Sequence, residues 1–135
     1  MCIRDSNKPI LLDFTGWACA NCRRVEENTW SEPKVYDMIN NEFILISLYV
    51  DDRSDLNQDQ IIILTDKNGN EKTLKKVGEK WSAFQTINFK NNSQPYYVLL
   101  SPNLEVLNKP IQYTDTDTYQ SWLSEGLENF KKNYK

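Results

Sequence analysis

Short apolar runs alternate along this chain with longer segments whose apolar residues recur every three or four positions, the pattern of strands interleaved with helices. Ile10-Leu11-Leu12-Asp13-Phe14 is an apolar run broken by one charge, and reads as a strand buried on both faces. Thr15-Gly16-Trp17-Ala18 turns the chain into a helix predicted over 19–28, which sets Cys22, Val25, Glu26 and Thr29 along one side. Ser31-Glu32-Pro33 predicts a fresh helix, with Ser31 as cap, proline in the first turn, and Val35, Met38 and Ile39 as its apolar side. Residues 43–50 form the second strong strand, and 51–60 are polar and read as a loop. Residues 61–65 and 72–77 flank Asp66-Lys67-Asn68-Gly69-Asn70, whose Asn-Gly pair predicts an inserted hairpin around 61–77.

The C-terminal half repeats the alternation. A helix predicted over 80–87 turns Trp81, Phe84 and Gln85 toward the body, and a polar loop over 88–94 leads into a strand at 96–100. Ser101-Pro102-Asn103 turns the chain, and 105–108 is expected to return antiparallel beside that strand. The last helix starts near Asp115-Thr116 and carries Tyr119, Trp122, Leu123, Leu127 and Phe130 at helical spacing, a stripe read as core. The order β-α-(α)-β, hairpin, α-β-β-α predicts an α/β domain, a central mixed β-sheet flanked by helices on both faces.

Composition narrows this picture. A chain of 135 residues holds one domain with a single core, and 39% hydrophobic with 12% aromatic residues fits a folded one. Met1-Cys2-Ile3-Arg4-Asp5-Ser6 fits nothing that follows, so 1–7 is read as a disordered or artefactual leader and 8–135 as the domain. Cys2 is then a thiol without a partner, and the abrupt start at Lys8-Pro9 suggests a domain cut from a longer parent. A net charge of -3 and the lack of a basic stripe give no reason to expect nucleic acid. The longest apolar run, 43–50, falls far short of the roughly 20 residues that span a bilayer, so no direct membrane insertion is expected. The absence of histidine excludes His-based acid–base catalysis, Cys-His proteolysis and most zinc chemistry.

Cys19-Ala20-Asn21-Cys22 is the candidate chemistry. Two cysteines at the first turn of a helix that follows a buried strand are placed for thiol–disulfide exchange, because the free N–H groups there favour a thiolate. Arg23 stands where haem attachment would need a histidine, and a zinc site would need ligands the chain does not offer. Two carboxylates bear on the pair. Asp13 ends an apolar strand, six residues before Cys19, and a charge in such a run is costly unless paired or protonated. Glu26 follows Cys22 by one helical turn. Both are placed to accept or deliver protons during exchange, and either, if ionised, would raise the pKa of Cys19 against the helix dipole. Pro95 opens the 96–100 strand after Gln94; an X–Pro bond takes either isomer, trans being the commoner.

Leu12-Asp13-Phe14, a four-residue turn, Cys-x-x-Cys at a helix start and a proline opening the third core strand together resemble the thioredoxin superfamily. The run from Cys19 through Arg23-Arg24-Val25-Glu26-Glu27-Asn28-Thr29-Trp30-Ser31-Glu32-Pro33 to Val35 is similar to the C-terminal domain of transmembrane thiol–disulfide interchange reductases of the DsbD type, and the likeness continues over 43–51 and 81–107. The resemblance implies a thioredoxin fold and a protein-disulfide reductase without metal or organic cofactor. Cys19 would be the attacking thiol and Cys22 the resolving one, with Asp13 and Glu26 as the acidic pair that tunes the first cysteine. Pro95 would be a cis-proline facing the disulfide, and Gln94 and Trp17 would contact the partner chain. Implied partners are protein disulfides, a membrane-embedded electron-donor domain and a periplasmic acceptor domain of one parent protein, which places the chain in the bacterial periplasm, tethered to the inner membrane. The Ala20-Asn21 dipeptide separates the chain from thioredoxin proper, and 51–77 is longer than a minimal thioredoxin fold needs. A free-standing periplasmic thioredoxin-like reductase, for example in cytochrome maturation, and a redox-inactive binding module of the same fold remain open alternatives.

Overall fold

The structure, a computed structural model, describes residues 7–133. The expected leader, apart from Asn7, and Cys2 with it lie outside the described residues. Strand β1 (Ile10–Thr15) occupies the centre of a three-stranded sheet in the order β2-β1-β5. It runs parallel to β2 (Ile44–Tyr49), with Ile10 level with Ile44 and Thr15 with Tyr49. It runs antiparallel to β5 (Tyr96–Leu100), with Ile10 level with Leu100 and Phe14 with Tyr96. The sheet is therefore mixed, as its apolar runs predict. Strands β3 (Ile62–Thr65) and β4 (Glu71–Leu74) form a separate antiparallel hairpin at the expected place.

Alternation along β1 and β5 divides the core into two layers. Leu11, Tyr97 and Leu99 face one side, where Val25, helix α2 (Pro33–Glu42) with Val35 and Ile39, and helix α4 (Thr116–Asn133) with Tyr119, Trp122, Leu123 and Phe130 cover them. Ile10, Leu12, Phe14, Tyr96 and Val98 face the other side, against Trp81 and Phe89 of helix α3 (Val77–Phe89). The C-terminal stripe is core, as its spacing predicts.

Several local expectations change. Helix α1 (Ala20–Arg24) does not continue regularly but passes into a π-helical turn (Val25–Thr29), closed by the Trp30 N–H donating to the Val25 carbonyl at 2.9 Å. Ser31 is not the cap of α2. Its hydroxyl donates back to the Glu27 carbonyl, Glu32 takes the cap position without a side-chain bond, and Pro33 starts the helix. Residues 105–108 return antiparallel only through a single bridge, Val106 to Leu100. Side chains of α4 take the polar groups that a longer strand would use: Asn129 donates to the Leu107 carbonyl at 2.9 Å and Trp122 to the Lys109 carbonyl at 2.7 Å.

The second hairpin strand ends at Leu74 and α3 begins earlier than predicted, at Val77. The Glu79 carboxylate accepts the Lys75 and Lys76 N–H groups and fixes this start. Gly78 lets the first turn of α3 abut the chain that leaves β2, its N–H donating to the Asp52 carbonyl at 2.9 Å. A Cβ there would stand 2.5 Å from the Val50 carbonyl oxygen and 2.7 Å from the Asp52 nitrogen, main-chain atoms that cannot rotate away. Alanine in an exposed helix would gain about 1 kcal/mol over glycine. Here Gly78→Ala should instead lose about 2 kcal/mol through overpacking, read as a lower urea midpoint with unchanged slope. An unchanged or higher midpoint would mean the α3 start is not pinned in this way.

Candidate active site

The site lies where β1 ends. The chain turns at Gly16, and the Cys19 N–H donates to the Gly16 carbonyl at 3.2 Å. Asp51, just past β2, anchors this turn: its carboxylate accepts the main-chain N–H of Trp17 at 3.0 Å and of Ala18 at 3.2 Å. The Trp17 ring stacks on Tyr49, centroids 4.0 Å apart and planes 17° from parallel, yet is 64% exposed. Asp51 was not among the residues singled out from sequence, where it reads as the first polar residue of a loop. Its partners are more than thirty positions away.

Cys19 occupies the cap position of α1, and its sulfur accepts the Cys22 N–H at 3.2 Å. The two cysteines are joined as a disulfide with Cα atoms 5.3 Å apart. The pair is asymmetric: Cys19 is half-buried, whereas Cys22 is 1% exposed. An N–H aimed at the outer sulfur stabilises the negative charge it would carry as a thiolate.

Asp13 is in the body of β1 rather than at its end, and is 2% exposed. Its side chain leaves the sheet on the face of Leu11 and Tyr97, under the helices that carry the cysteines. The Ser47 hydroxyl, on the neighbouring strand, donates to Asp13 Oδ2 at 2.9 Å. Burial raises the Asp13 pKa from 3.8 to about 7. The Ser47 hydrogen bond opposes the rise, the Glu26 charge adds to it, and the Arg23 charge opposes it. A carboxyl in this state holds or releases a proton near neutral pH. The same burial pushes the Tyr97 hydroxyl far above its ordinary range, so it stays protonated.

Arg23 ties these groups together. One terminal guanidinium nitrogen donates to Glu26 Oε2 at 2.9 Å, to Thr15 Oγ1 at 3.0 Å and to the Gly16 carbonyl at 3.3 Å. The side chain thus clamps the first turn of α1 onto the end of β1 and holds Glu26 facing inward, about two-thirds buried. Sequence reasoning used Arg23 only to exclude haem. The available signal was an arginine three residues before a candidate acid, on one helix face.

The Gln94–Pro95 bond is cis. Continuing the β1–β5 register past Phe14 and Tyr96 sets Pro95 level with Thr15 and Gln94 level with Gly16, at the end of the sheet where the turn leads to Cys19. Glu26, Cys19, Cys22, Trp17, Gln94 and Pro95 therefore lie toward the Thr15 end of β1, together with Arg23 and Asp51, with Asp13 two residues inside that end. Chemically, the arrangement offers one accessible sulfur, one hidden sulfur, a proton-holding carboxyl beneath the helices and an exposed rim.

A protein-family model described as thioredoxin-like matches residues 3–102. No curated protein matches the chain. Among solved structures, a thioredoxin-fold protein from Helicobacter pylori superimposes with a TM-score of 0.65 at 19% identity, covering 96% of this chain and 75% of that one. A DsbH oxidoreductase does so with a TM-score of 0.63 at 13% identity, over 93% of this chain and 76% of that one. The reduced C-terminal domain of DsbD from Neisseria meningitidis gives 0.56 at 12% identity, over 93% and 90%. At these identities the structural likeness speaks for the fold, and together with the family match it shows that this chain belongs to the thioredoxin-like family.

Proposed function

We propose that the chain is a thiol–disulfide oxidoreductase that works through Cys19 and Cys22. The observation that carries this reading is the asymmetry of the pair: a half-buried Cys19 whose sulfur receives an N–H, and a Cys22 that is fully buried. In the reduced protein the Cys19 thiolate attacks one sulfur of a partner disulfide. A Cys19–partner bond forms, the partner S–S bond breaks, and the departing partner sulfur takes up a proton. Asp13 then receives the Cys22 proton, and the Cys22 thiolate attacks Cys19. The Cys19–Cys22 bond forms, the second partner sulfur leaves and is protonated, and two electrons have passed to the partner. Burial of Cys22 keeps other disulfides from it, and Glu26, held by Arg23, sets the charge that Asp13 senses.

For the biological setting, the reading supported best is a relay domain of a DsbD-type membrane reductase, in the bacterial periplasm and tethered to the inner membrane. Electrons would arrive from a membrane-embedded donor domain and leave to a periplasmic acceptor domain. The support is the run from Cys19 to Val35 and the shared architecture. No helix among the described residues is long and apolar enough to cross a membrane, so a membrane-embedded donor would be a separate element. A relay that supplies electrons in the periplasm requires a potential well below that of the oxidising periplasm. Equilibration with glutathione buffers of known ratio should therefore return a potential far below that of a strong oxidant, about −120 mV; a value near that oxidant would contradict the direction of flow.

The roles of the two sulfurs separate by substitution. Cys22→Ala should accumulate a mixed disulfide with a partner, stable to gel electrophoresis without reductant, whereas Cys19→Ala should accumulate none. Equal trapping by both variants, or by neither, would overturn the assignment.

The buried carboxyl gives a pH signature. An acid whose pKa stands at 3.8 unfolded and about 7 folded is protonated in both states below 3.8. As pH rises from there, the unfolded chain ionises while the fold retains the proton, so stability falls and the loss is complete above about 7. The full effect is roughly 4 kcal/mol. Asn at this position keeps an acceptor for Ser47 and cannot ionise. In the oxidised protein, Asp13→Asn should match the parent near pH 4, gain stability progressively to pH 7, and hold that gain above it in urea titrations. The same variant should resolve mixed disulfides about tenfold or more slowly at pH 7. Stability curves that run parallel across this range would remove the carboxyl from both roles.

A further inference from the structure

Gln85 is an amide at a core position of α3, 0% exposed, that the exchange chemistry does not use. Trp81 and Phe89, one turn before and one turn after it, pack against the core, and a hydrocarbon at this position would avoid the cost of desolvating an amide. The amide is instead fully engaged with one segment. Its Nε2 donates to the Ser93 carbonyl at 2.8 Å and to Asn91 Oδ1 at 3.1 Å, which uses both of its hydrogens. Its Oε1 accepts from Gln94 Nε2 at 3.0 Å. The same Asn91 oxygen also accepts the Ser93 N–H and hydroxyl, both at 2.8 Å, and Gln94 Nε2 also reaches the Asn92 carbonyl at 3.1 Å. The loop between α3 and β5 is thus wound around a single buried side chain.

The other end of this arrangement is the Gln94 main chain. The Gln94 side chain is drawn inward to Gln85, while among the described residues neither its main-chain N–H nor its carbonyl takes a hydrogen-bond partner. Register sets these groups level with Gly16, whose carbonyl holds the Cys19 N–H. An unpaired N–H and C=O at the end of the sheet from which the chain turns to Cys19 are groups that a strand-like partner segment can pair with.

We propose that Gln85 is the positioning residue of the partner-docking loop: by holding Ser93 and the Gln94 side chain, it presents the Gln94 main chain to an extended, disulfide-bearing segment of a partner protein. This rests on the exchange reading above. Gln85 touches neither sulfur, so its effect falls on docking and not on the sulfur chemistry.

The test compares a substrate that has a main chain with one that has none. The first is an extended peptide closed by a disulfide, with a quenched fluorophore pair reporting its reduction; the second is dithiothreitol acting on the Cys19–Cys22 disulfide. Gln85→Met keeps the volume and removes all three hydrogen bonds. It should raise KM for the peptide about tenfold, with kcat and the dithiothreitol rate constant changed less than about threefold. Gln94→Ala should raise the peptide KM by a smaller factor, and the double variant should be no worse than Gln85→Met alone, since both act through one tether. An unchanged peptide KM in Gln85→Met overturns the proposal, as does a KM rise matched by a loss of the dithiothreitol rate. Should Gln85→Met fail to fold, an unchanged KM in Gln94→Ala overturns it equally. A parent protein inert toward both substrates would overturn the exchange reading itself, a result distinct from an active parent with an indifferent variant.

Discussion

The constraint that the structure has to accommodate is a carboxyl buried in the middle of its central strand. β1 has a neighbour on each side and a helical layer on each face, so every side chain on it is removed from water. Leu11 and Phe14 gain from that placement, and Asp13 does not. The fold tolerates it by supplying one hydroxyl from Ser47 and by leaving the acid able to keep its proton near neutral pH. A hydrophobic residue would make a more stable strand. The acid sets a group able to hold a proton near neutral pH on the sheet face that Val25 and the helices cover.

Three polar side chains, one just past β2, one on α1 and one on α3, fix the chain around the Cys19–Cys22 disulfide. Asp51 takes the two N–H groups of the turn before Cys19, Arg23 pins the first turn of α1 to the end of β1, and Gln85 gathers the loop before Pro95. Each binds main-chain groups, which have no rotamers to adjust, so the rim of the site inherits the rigidity of the sheet and of α3. The π-helical turn after α1 belongs with these devices, since a wider turn shifts the facing of the residues that follow it. Thr29 then meets Thr116, and the Trp30 indole meets the Tyr119 hydroxyl, joining the cysteine-bearing helix to the core of α4.

What the sequence by itself determined is whatever a short window can encode. The apolar runs of β1, β2 and β5, the stripe on α4 and the Asn-Gly hairpin follow from burial repeating every two or every three to four residues, a property of neighbours along the chain. The Cys19–Cys22 spacing, the acid in the apolar run and the acid one turn after Cys22 are legible for the same reason. The tertiary structure alone decided where the ends fall and what the polar side chains do. Ser31 loses its capping role to a carbonyl of the preceding helix, the 105–108 return is cut short where Asn129 of α4 takes the Leu107 carbonyl, and α3 starts early because Gly78 fits against the chain leaving β2. Asp51, Arg23 and Gln85 look like ordinary loop or helix residues in sequence. Their meaning lies in partners that only the packing of α1 and α3 on the sheet brings within hydrogen-bond reach, and hydrogen bonds act over a few ångströms of space whatever the distance along the chain.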